Sequence, residues 1–167
     1  MNLVKMYTKV YEKPINVRIL KLFSHFCEAL FAVVFVSFLY KAYVLSLNLA
    51  IAFGALSLLS FIIVSLVRRI INAPRPADLF PELEFLREEK SSPSFPSRHT
   101  FCAALIATLA LYFSVILGCV LLLISLLLGA SRVFLGRHFA RDVVCGFILG
   151  ALSGALTLIF SYNIIVV

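Results

Sequence analysis

Long apolar stretches that end at charged residues dominate the pattern of hydrophobic and polar positions in this chain. Residues 42–67 and 143–167 carry no Asp, Glu, Lys or Arg, and residues 29–47 are interrupted only by Lys41. At about 1.5 Å per helical residue, runs of this length are sufficient to cross a hydrocarbon core of ~30 Å. Each run therefore predicts a membrane-spanning helix, and Lys41 is expected to extend towards the interface.

The longest uncharged run, Thr100–Ser131, requires a different interpretation. It has 32 residues, and as one helix it would measure ~48 Å, well beyond the thickness of a bilayer. We therefore predict two short spans that meet near Tyr112–Gly118. The predicted fold is an all-α polytopic membrane bundle of five transmembrane helices.

The N-terminal segment and the loop at 72–96 differ from these spans. Through residue 22, basic residues alternate with apolar ones, with an interruption at Pro14, which predicts an amphipathic interfacial helix within a segment of residues 1–28. Residues 72–96 hold five of the six prolines and five of the eight acids, and long loops in compact proteins are usually functional. We predict one membrane-embedded domain over residues 1–167, with 72–96 as its active-site loop.

Composition places the chain in a cell membrane as a multi-pass protein. Hydrophobic residues make up 62% and charged residues 14%, which excludes a soluble domain, a disordered chain and a disulfide scaffold. The net charge of +7 comes from residues that flank the apolar runs, so membrane lipids and an anionic substrate are the expected partners rather than nucleic acid. We expect no cleavable signal peptide, because the first 22 residues lack an apolar core.

Polar residues that could carry chemistry are concentrated at three span ends. Two crossings separate the second cluster from the third, so all three are expected on the same membrane face. A single arginine or histidine at a span end is usually structural, but the convergence of several favours a functional site. The clusters are Arg68-x6-Arg75-Pro76, Phe95-Pro96-Ser97-Arg98-His99, and Ser131-Arg132-x5-His138-x3-Asp142.

These residue types are suited to phosphoryl transfer. On a helix, Asp142 would share a face with His138 and accept a hydrogen bond from one ring nitrogen, leaving the other nucleophilic. His99 could protonate a leaving oxygen. Ser97 is a candidate N-cap for the third span, whose free amides would bind an anion. Arginine forks match phosphate oxygens, and the candidates for that role are Arg68, Arg75, Arg98 and Arg132.

The three clusters resemble the tripartite motif of the type 2 phosphatidic acid phosphatase superfamily, which also includes the soluble vanadium haloperoxidases. The family pattern is Lys-x6-Arg-Pro, then Pro-Ser-Gly-His, then Ser-Arg-x5-His-x3-Asp. The third block matches at every fixed position, whereas Arg68 replaces the lysine of the first block and Arg98 the glycine of the second. The resemblance covers about residues 60–155.

The resemblance implies a membrane lipid phosphatase that works through a phosphohistidine. His138 would be the nucleophile, Asp142 its orienting partner and His99 the general acid, with phosphate bound by Arg68, Arg75, Ser97 and Arg132. No metal or other cofactor is expected. The family's substrates include undecaprenyl diphosphate, our first choice, and also phosphatidylglycerol phosphate, phosphatidate and lipid A phosphates. Rival hypotheses are a small anion transporter or channel and a catalytically inactive protein that binds lipid phosphates.

Two arguments conflict over the membrane face of this site. In the five-span arrangement, every Lys and Arg except Lys41 lies on the active-site face, which predicts a cytoplasmic site by the positive-inside rule. The family resemblance instead implies an extracytoplasmic site. We favour the cytoplasmic face and keep the outer face as the alternative.

Overall fold

All regular secondary structure in the described part of the chain is helical. The computed structural model describes residues 3–86 and 92–166, and within these ranges the predicted all-α class is confirmed. The elements are α1 (Leu3–Tyr11), α2 (Pro14–Leu45), α3 (Leu47–Ile71), α4 (Pro76–Leu79), a 3₁₀ helix (Pro81–Leu86), α5 (Arg98–Ala110), α6 (Val115–Phe134) and α7 (Ala140–Val166).

Four helices, α2, α3, α6 and α7, are long and apolar enough to cross a membrane in the described part of the chain. The predicted division of the longest apolar run is confirmed, since α5 ends at Ala110 and α6 begins at Val115. Helix α5 has 13 residues and measures ~20 Å, which is shorter than a hydrocarbon core. The arrangement of five spans and an interfacial helix therefore stays a prediction.

Helix α5 is the centre of the bundle. Nearly every side chain from Thr100 to Ala110 is buried, because neighbouring helices rather than lipid surround it. The turn after α5 ends against aromatic rings, with Phe113 stacked on Phe38 at 5.1 Å between centroids and at right angles to Phe53 at 6.2 Å. Phe38 lies about two turns before the end of α2, and Phe53 about two turns after the start of α3. Helix α5 therefore stops short of the junction between α2 and α3.

A stripe of glycines on α7, Gly146, Gly150 and Gly154, allows its backbone to approach α5 closely. A Cβ atom on Gly146 would lie 2.5 Å from the carbonyl oxygen of Ser97, and one on Gly150 would collide with the carbonyl of Phe101. This approach allows the backbone N–H of Ser97 to donate a hydrogen bond to the carbonyl of Asp142 at 2.9 Å. The second and third motifs are thereby joined.

The N-terminal segment packs on the protein at the same end as the three motifs. Tyr7 in α1 is fully buried, and the Tyr11 hydroxyl donates to the carbonyl of Leu135 at 3.1 Å. The interruption predicted at Pro14 is present, because α1 ends at Tyr11 and α2 begins at Pro14, but the helix that follows is not a separate interfacial element. Proline is favoured in the first turn of a helix, so residues 14–28 form the first part of α2 and are continuous with the first candidate span.

Candidate active site

The three motifs converge around one small, strongly cationic cavity. The first motif lies at the end of α3 and the start of α4, and the second at the start of α5. The third extends from the end of α6 through the following turn into the first turn of α7. The cavity has a volume of about 40 Å³. Its lining residues are Arg68, Arg75, Ser92, Arg98, His99, Arg132, Arg137 and His138.

His138 and Asp142 form the pair that the sequence predicts, but by a different local geometry. His138 lies in the turn before α7, so the two residues do not stack on a helix face. Asp142 instead occupies the first turn of α7 and reaches back, where its Oδ2 accepts a hydrogen bond from the backbone N–H of Phe139 at 2.9 Å. This is one half of a capping box. It places Oδ2 3.7 Å from the Nδ1 atom of His138.

Ser94 completes this pair and was missed from sequence. Its hydroxyl donates to Oδ2 of Asp142 and lies 3.5 Å from Nδ1 of His138. Ser94 is fully buried, as is Asp142. No sequence pattern distinguishes this serine from its neighbours in the 92–97 segment, because only the folded loop brings it to Asp142. The arrangement directs Nδ1 of His138 towards Asp142 and leaves Nε2 for the cavity.

Burial lowers the pKa of the His138 imidazole, and its contact with the Asp142 carboxylate opposes that shift. The positive charges of Arg68 and Arg75 lower the pKa of His138 further. A histidine whose pKa lies below its usual value of about 6.5 is neutral at pH 7. Its free nitrogen then carries the lone pair that a nucleophile needs.

Arg68 and Arg75 are held by the loop between α3 and α5. Arg68 lies in the last turn of α3, which ends where Asn72 adopts a left-handed conformation with φ of 44°. Its Nη1 donates to the carbonyls of Ser94 at 2.8 Å and Pro96 at 2.7 Å. Arg75 donates through Nε to the carbonyl of Ser92 at 2.9 Å. Both guanidinium groups line the cavity and also fix the loop that positions Ser94.

Ser97 occupies the N-cap position of α5, as predicted, but its side chain makes no capping hydrogen bond. The hydroxyl instead lies 3.1 Å from Oγ1 of Thr100, and the fully buried side chain is outside the cavity lining. Competition from Thr100 and the close packing of Gly146 explain the difference. Arg98, which replaces the family's glycine, does line the cavity.

Two further charged residues at the site were not singled out from sequence. Arg137 lines the cavity beside His138. Glu28 of α2 contacts Nη2 of the buried Arg132, and its Oε1 lies 3.4 Å from Nε2 of His99. A signal for Glu28 was present, since an acid next to a membrane-spanning run is costly unless it is paired. Arg137 has no comparable signal, because basic residues are common at span ends.

An apolar groove leads away from His99 between α2, α3 and α5. Its upper part has a volume of about 410 Å³ and begins at Glu28, Arg98 and His99. A lower part of about 240 Å³ continues it. Both parts share the residues Phe61, Cys102 and Ile106. The site therefore joins a cationic cavity to an apolar groove, the combination that a lipid carrying an anionic head group requires.

The described residues contain no group of three or more His, Cys, Asp or Glu side chains placed to hold a metal ion. The carboxylates nearest the cavity, Asp142 and Glu28, are each paired with histidine. The chemistry that the described side chains offer is nucleophilic attack by an imidazole on a phosphorus atom held by arginines.

These features define a helical membrane protein with a histidine–aspartate pair in an arginine-lined anion site. The chain belongs to the PAP2 superfamily, whose family model matches residues 43–165. That match includes all three motifs but begins after Glu28 and most of α2.

Known proteins resemble parts of this chain. Over 101 residues it is 29% identical to the bacitracin transport permease protein BcrC of Bacillus licheniformis, covering 58% of this chain and 50% of BcrC. Over 74 residues it is 39% identical to phosphatidylglycerophosphatase B of Bacillus subtilis strain 168, covering 38% of this chain and 36% of that protein. The matched region thus spans half or less of the length of these curated relatives.

Two solved structures share the fold. A transmembrane PAP2-type phosphatidylglycerolphosphate phosphatase from Bacillus subtilis superposes with a TM-score of 0.73 at 23% identity, over 97% of this chain and 85% of that chain. LpxE from Aquifex aeolicus superposes with a TM-score of 0.67 at 25% identity, over 87% of each chain.

Proposed function

We propose that this protein is a membrane lipid phosphatase that hydrolyses a lipid phosphate or diphosphate through a phosphohistidine at His138, without a metal ion. The observation that carries the proposal is the His138–Asp142 pair at the wall of a cavity lined by arginines. Membership of the PAP2 superfamily supports the same reaction class.

In the first step, Nε2 of His138 attacks the phosphorus atom. A P–N bond forms while the bond from phosphorus to the leaving oxygen breaks, and that oxygen takes a proton from His99. Positive charge develops on the ring of His138, where Asp142 stabilises it. The arginines of the cavity offset the charge on the phosphoryl oxygens.

In the second step, water attacks the phosphohistidine. The water gives a proton to His99, which is now neutral, and the P–N bond breaks to release inorganic phosphate. His138 and His99 return to their starting protonation states, so the cycle consumes one water and one lipid phosphate.

The apolar groove supports a lipid substrate, since a chain entering at Glu28 and His99 would pass along Phe61 and Ile106. The names of the relatives point to lipid phosphates and to bacitracin. Undecaprenyl diphosphate is our first candidate, followed by phosphatidylglycerol phosphate, phosphatidate and lipid A phosphates.

The test is phosphate release by the purified protein in detergent from a panel of these four lipids. We expect turnover of at least one lipid by the wild type, none by His138→Ala, and a loss of at least tenfold with Arg68→Ala. The matched control is Arg69→Ala, because Arg69 is the exposed neighbour of Arg68 on α3. An acid-labile phosphoenzyme should accumulate in the wild type and be absent from His138→Ala.

Two results would contradict the proposal. Substantial turnover by His138→Ala would eliminate this histidine as the nucleophile. Binding of lipid phosphates without phosphate release by the wild type would favour an inactive binding protein instead.

A further inference from the structure

Glu28 connects two groups of the site from a helix that carries none of the three motifs. Its Oε1 contacts Nη2 of Arg132 and lies 3.4 Å from Nε2 of His99. Its Oε2 lies 3.4 Å from Nδ1 of His25, one turn earlier on α2. The side chain is one-third exposed, where the apolar groove begins. Glu28 therefore stands between the anion cavity and the groove.

The charge around His99 makes this contact significant. A general acid must carry a proton, but burial and the nearby positive charges lower the pKa of the His99 imidazole. Among the ion pairs of the described residues, Glu28 is the carboxylate placed on that ring. The positive groups that face His99 are Arg68, Arg98, Arg137 and, when protonated, His138.

The two histidines of the site are arranged alike. Asp142 faces Nδ1 of His138 and leaves Nε2 free. Glu28 faces Nε2 of His99 and leaves Nδ1 free. A carboxylate on one ring nitrogen fixes the ring orientation and favours the imidazolium form. Each histidine thus has its own carboxylate.

We propose that Glu28 is a positioning residue that orients His99 and favours its protonated form for transfer of a proton to the leaving oxygen. This inference rests on the proposed phosphatase function. During the first step, the proton on the free nitrogen of His99 moves to the leaving oxygen as the P–O bond breaks. The ring then stays neutral, with its remaining proton directed at Glu28. Arg132 holds the carboxylate in place.

The expected signature of Glu28→Gln is a change in pH dependence and in leaving-group dependence. Activity falls at high pH as His99 loses its proton, and this limb should move down by about one pH unit without the carboxylate. Poor leaving groups need the proton most. With a lipid phosphate, kcat at pH 8 should fall about tenfold, whereas hydrolysis of p-nitrophenyl phosphate should change less than twofold.

Three variants separate positioning from a structural role. Glu28→Asp keeps the charge and should restore part of the high-pH activity. In a His99→Ala background, Glu28→Gln should have no further effect, because a residue that acts through His99 has nothing left to act on. The matched control is Ser24→Ala, since Ser24 is one turn away on α2 and contacts Ser131 at 2.8 Å. We expect its pH profile to match that of the wild type.

The experiment measures kcat and KM from pH 5 to 9 on the full chain in detergent, with vanadate-induced thermal stabilisation as the check that each variant keeps a folded anion site. An unchanged pH profile in folded Glu28→Gln, or losses of activity that add to those of His99→Ala, would overturn this inference but leave the proposed function standing. A wild type that hydrolyses neither substrate would contradict the proposed function and, with it, this inference.

Discussion

Replacing Ser94 by alanine tests how His138, the proposed nucleophile, is held. The hydroxyl donates to Oδ2 of Asp142 and contacts Nδ1 of His138, and it is outside the lining of the anion cavity. The backbone of Ser94 is fixed independently, since its N–H donates to Ala73 at 2.7 Å and its carbonyl accepts from Arg68 at 2.8 Å. Ser94→Ala should therefore leave the loop in place and remove only the hydroxyl.

The size of the effect follows from the partners that Asp142 keeps. Among the described residues, Oδ1 has no hydrogen-bond partner and only a longer contact of 3.6 Å with Nε of Arg141. Oδ2 would retain the N–H of Phe139 and the ring of His138. A buried hydrogen bond to a charged group contributes about 1.5–3 kcal/mol. At about 1.4 kcal/mol per factor of ten in rate, loss of the lower amount predicts a decrease of about tenfold in kcat. The KM should change less than twofold, because Ser94 does not contact the phosphate.

The assay is steady-state phosphate release by the purified variant from the best lipid of the panel. The matched control is Ser37→Ala, which removes a hydroxyl bonded within α2 to Val33 on an exposed face. It should keep the kcat and KM of the wild type. A kcat for Ser94→Ala within twofold of the wild type would refute the idea that Ser94 orients Asp142.

Three other results are expected. Gly146→Ala should lower both Tm and activity, because a methyl group 2.5 Å from the carbonyl oxygen of Ser97 forces α7 away from α5. The control Gly54→Ala should change neither, since the nearest neighbour of its added methyl group is 3.9 Å away. An unchanged Tm for Gly146→Ala would contradict the packing argument. Chelator should leave phosphate release intact and orthovanadate should inhibit it, whereas activity lost in chelator and restored by magnesium would disprove a metal-free mechanism. A protease-cleavable tag at the N-terminus, on the same end as the site, should resist protease added to intact cells; cleavage from outside would assign the site to the outer face.

Most of the residues that meet at the cavity could be predicted from sequence, because they belong to motifs with short fixed spacings. Arg75, His138 and Asp142 belong to motifs whose members are joined by a few residues of chain. The four long apolar helices were equally predictable, since the length of an apolar run compared with the thickness of a bilayer indicates where a helix can cross. The expectation that the three motifs share one membrane face required only the number of crossings between them. These predictions needed no knowledge of side-chain packing.

Local geometry was less accessible, even within a motif. The spacing of His138 and Asp142 suggested two residues on one helix face, but α7 begins at Ala140 and the pair forms through a cap. Ser97 was predicted to cap α5, yet its hydroxyl lies beside Thr100. In both cases alternative local hydrogen bonds compete for the same backbone and side-chain groups. The surrounding helices decide which of them forms.

The sequence by itself determined the membrane class, the helical runs and the motif residues, because each of these follows from the composition or from the spacing of residues along the chain. Only the tertiary structure decided that Ser94 and Glu28 belong to the site. Glu28 is separated from His99 by more than 70 residues of chain, and only the packing of α2 against α5 and α6 brings its carboxylate to that ring. Contacts of this kind depend on how whole helices pack against one another, which short-range sequence patterns do not predict.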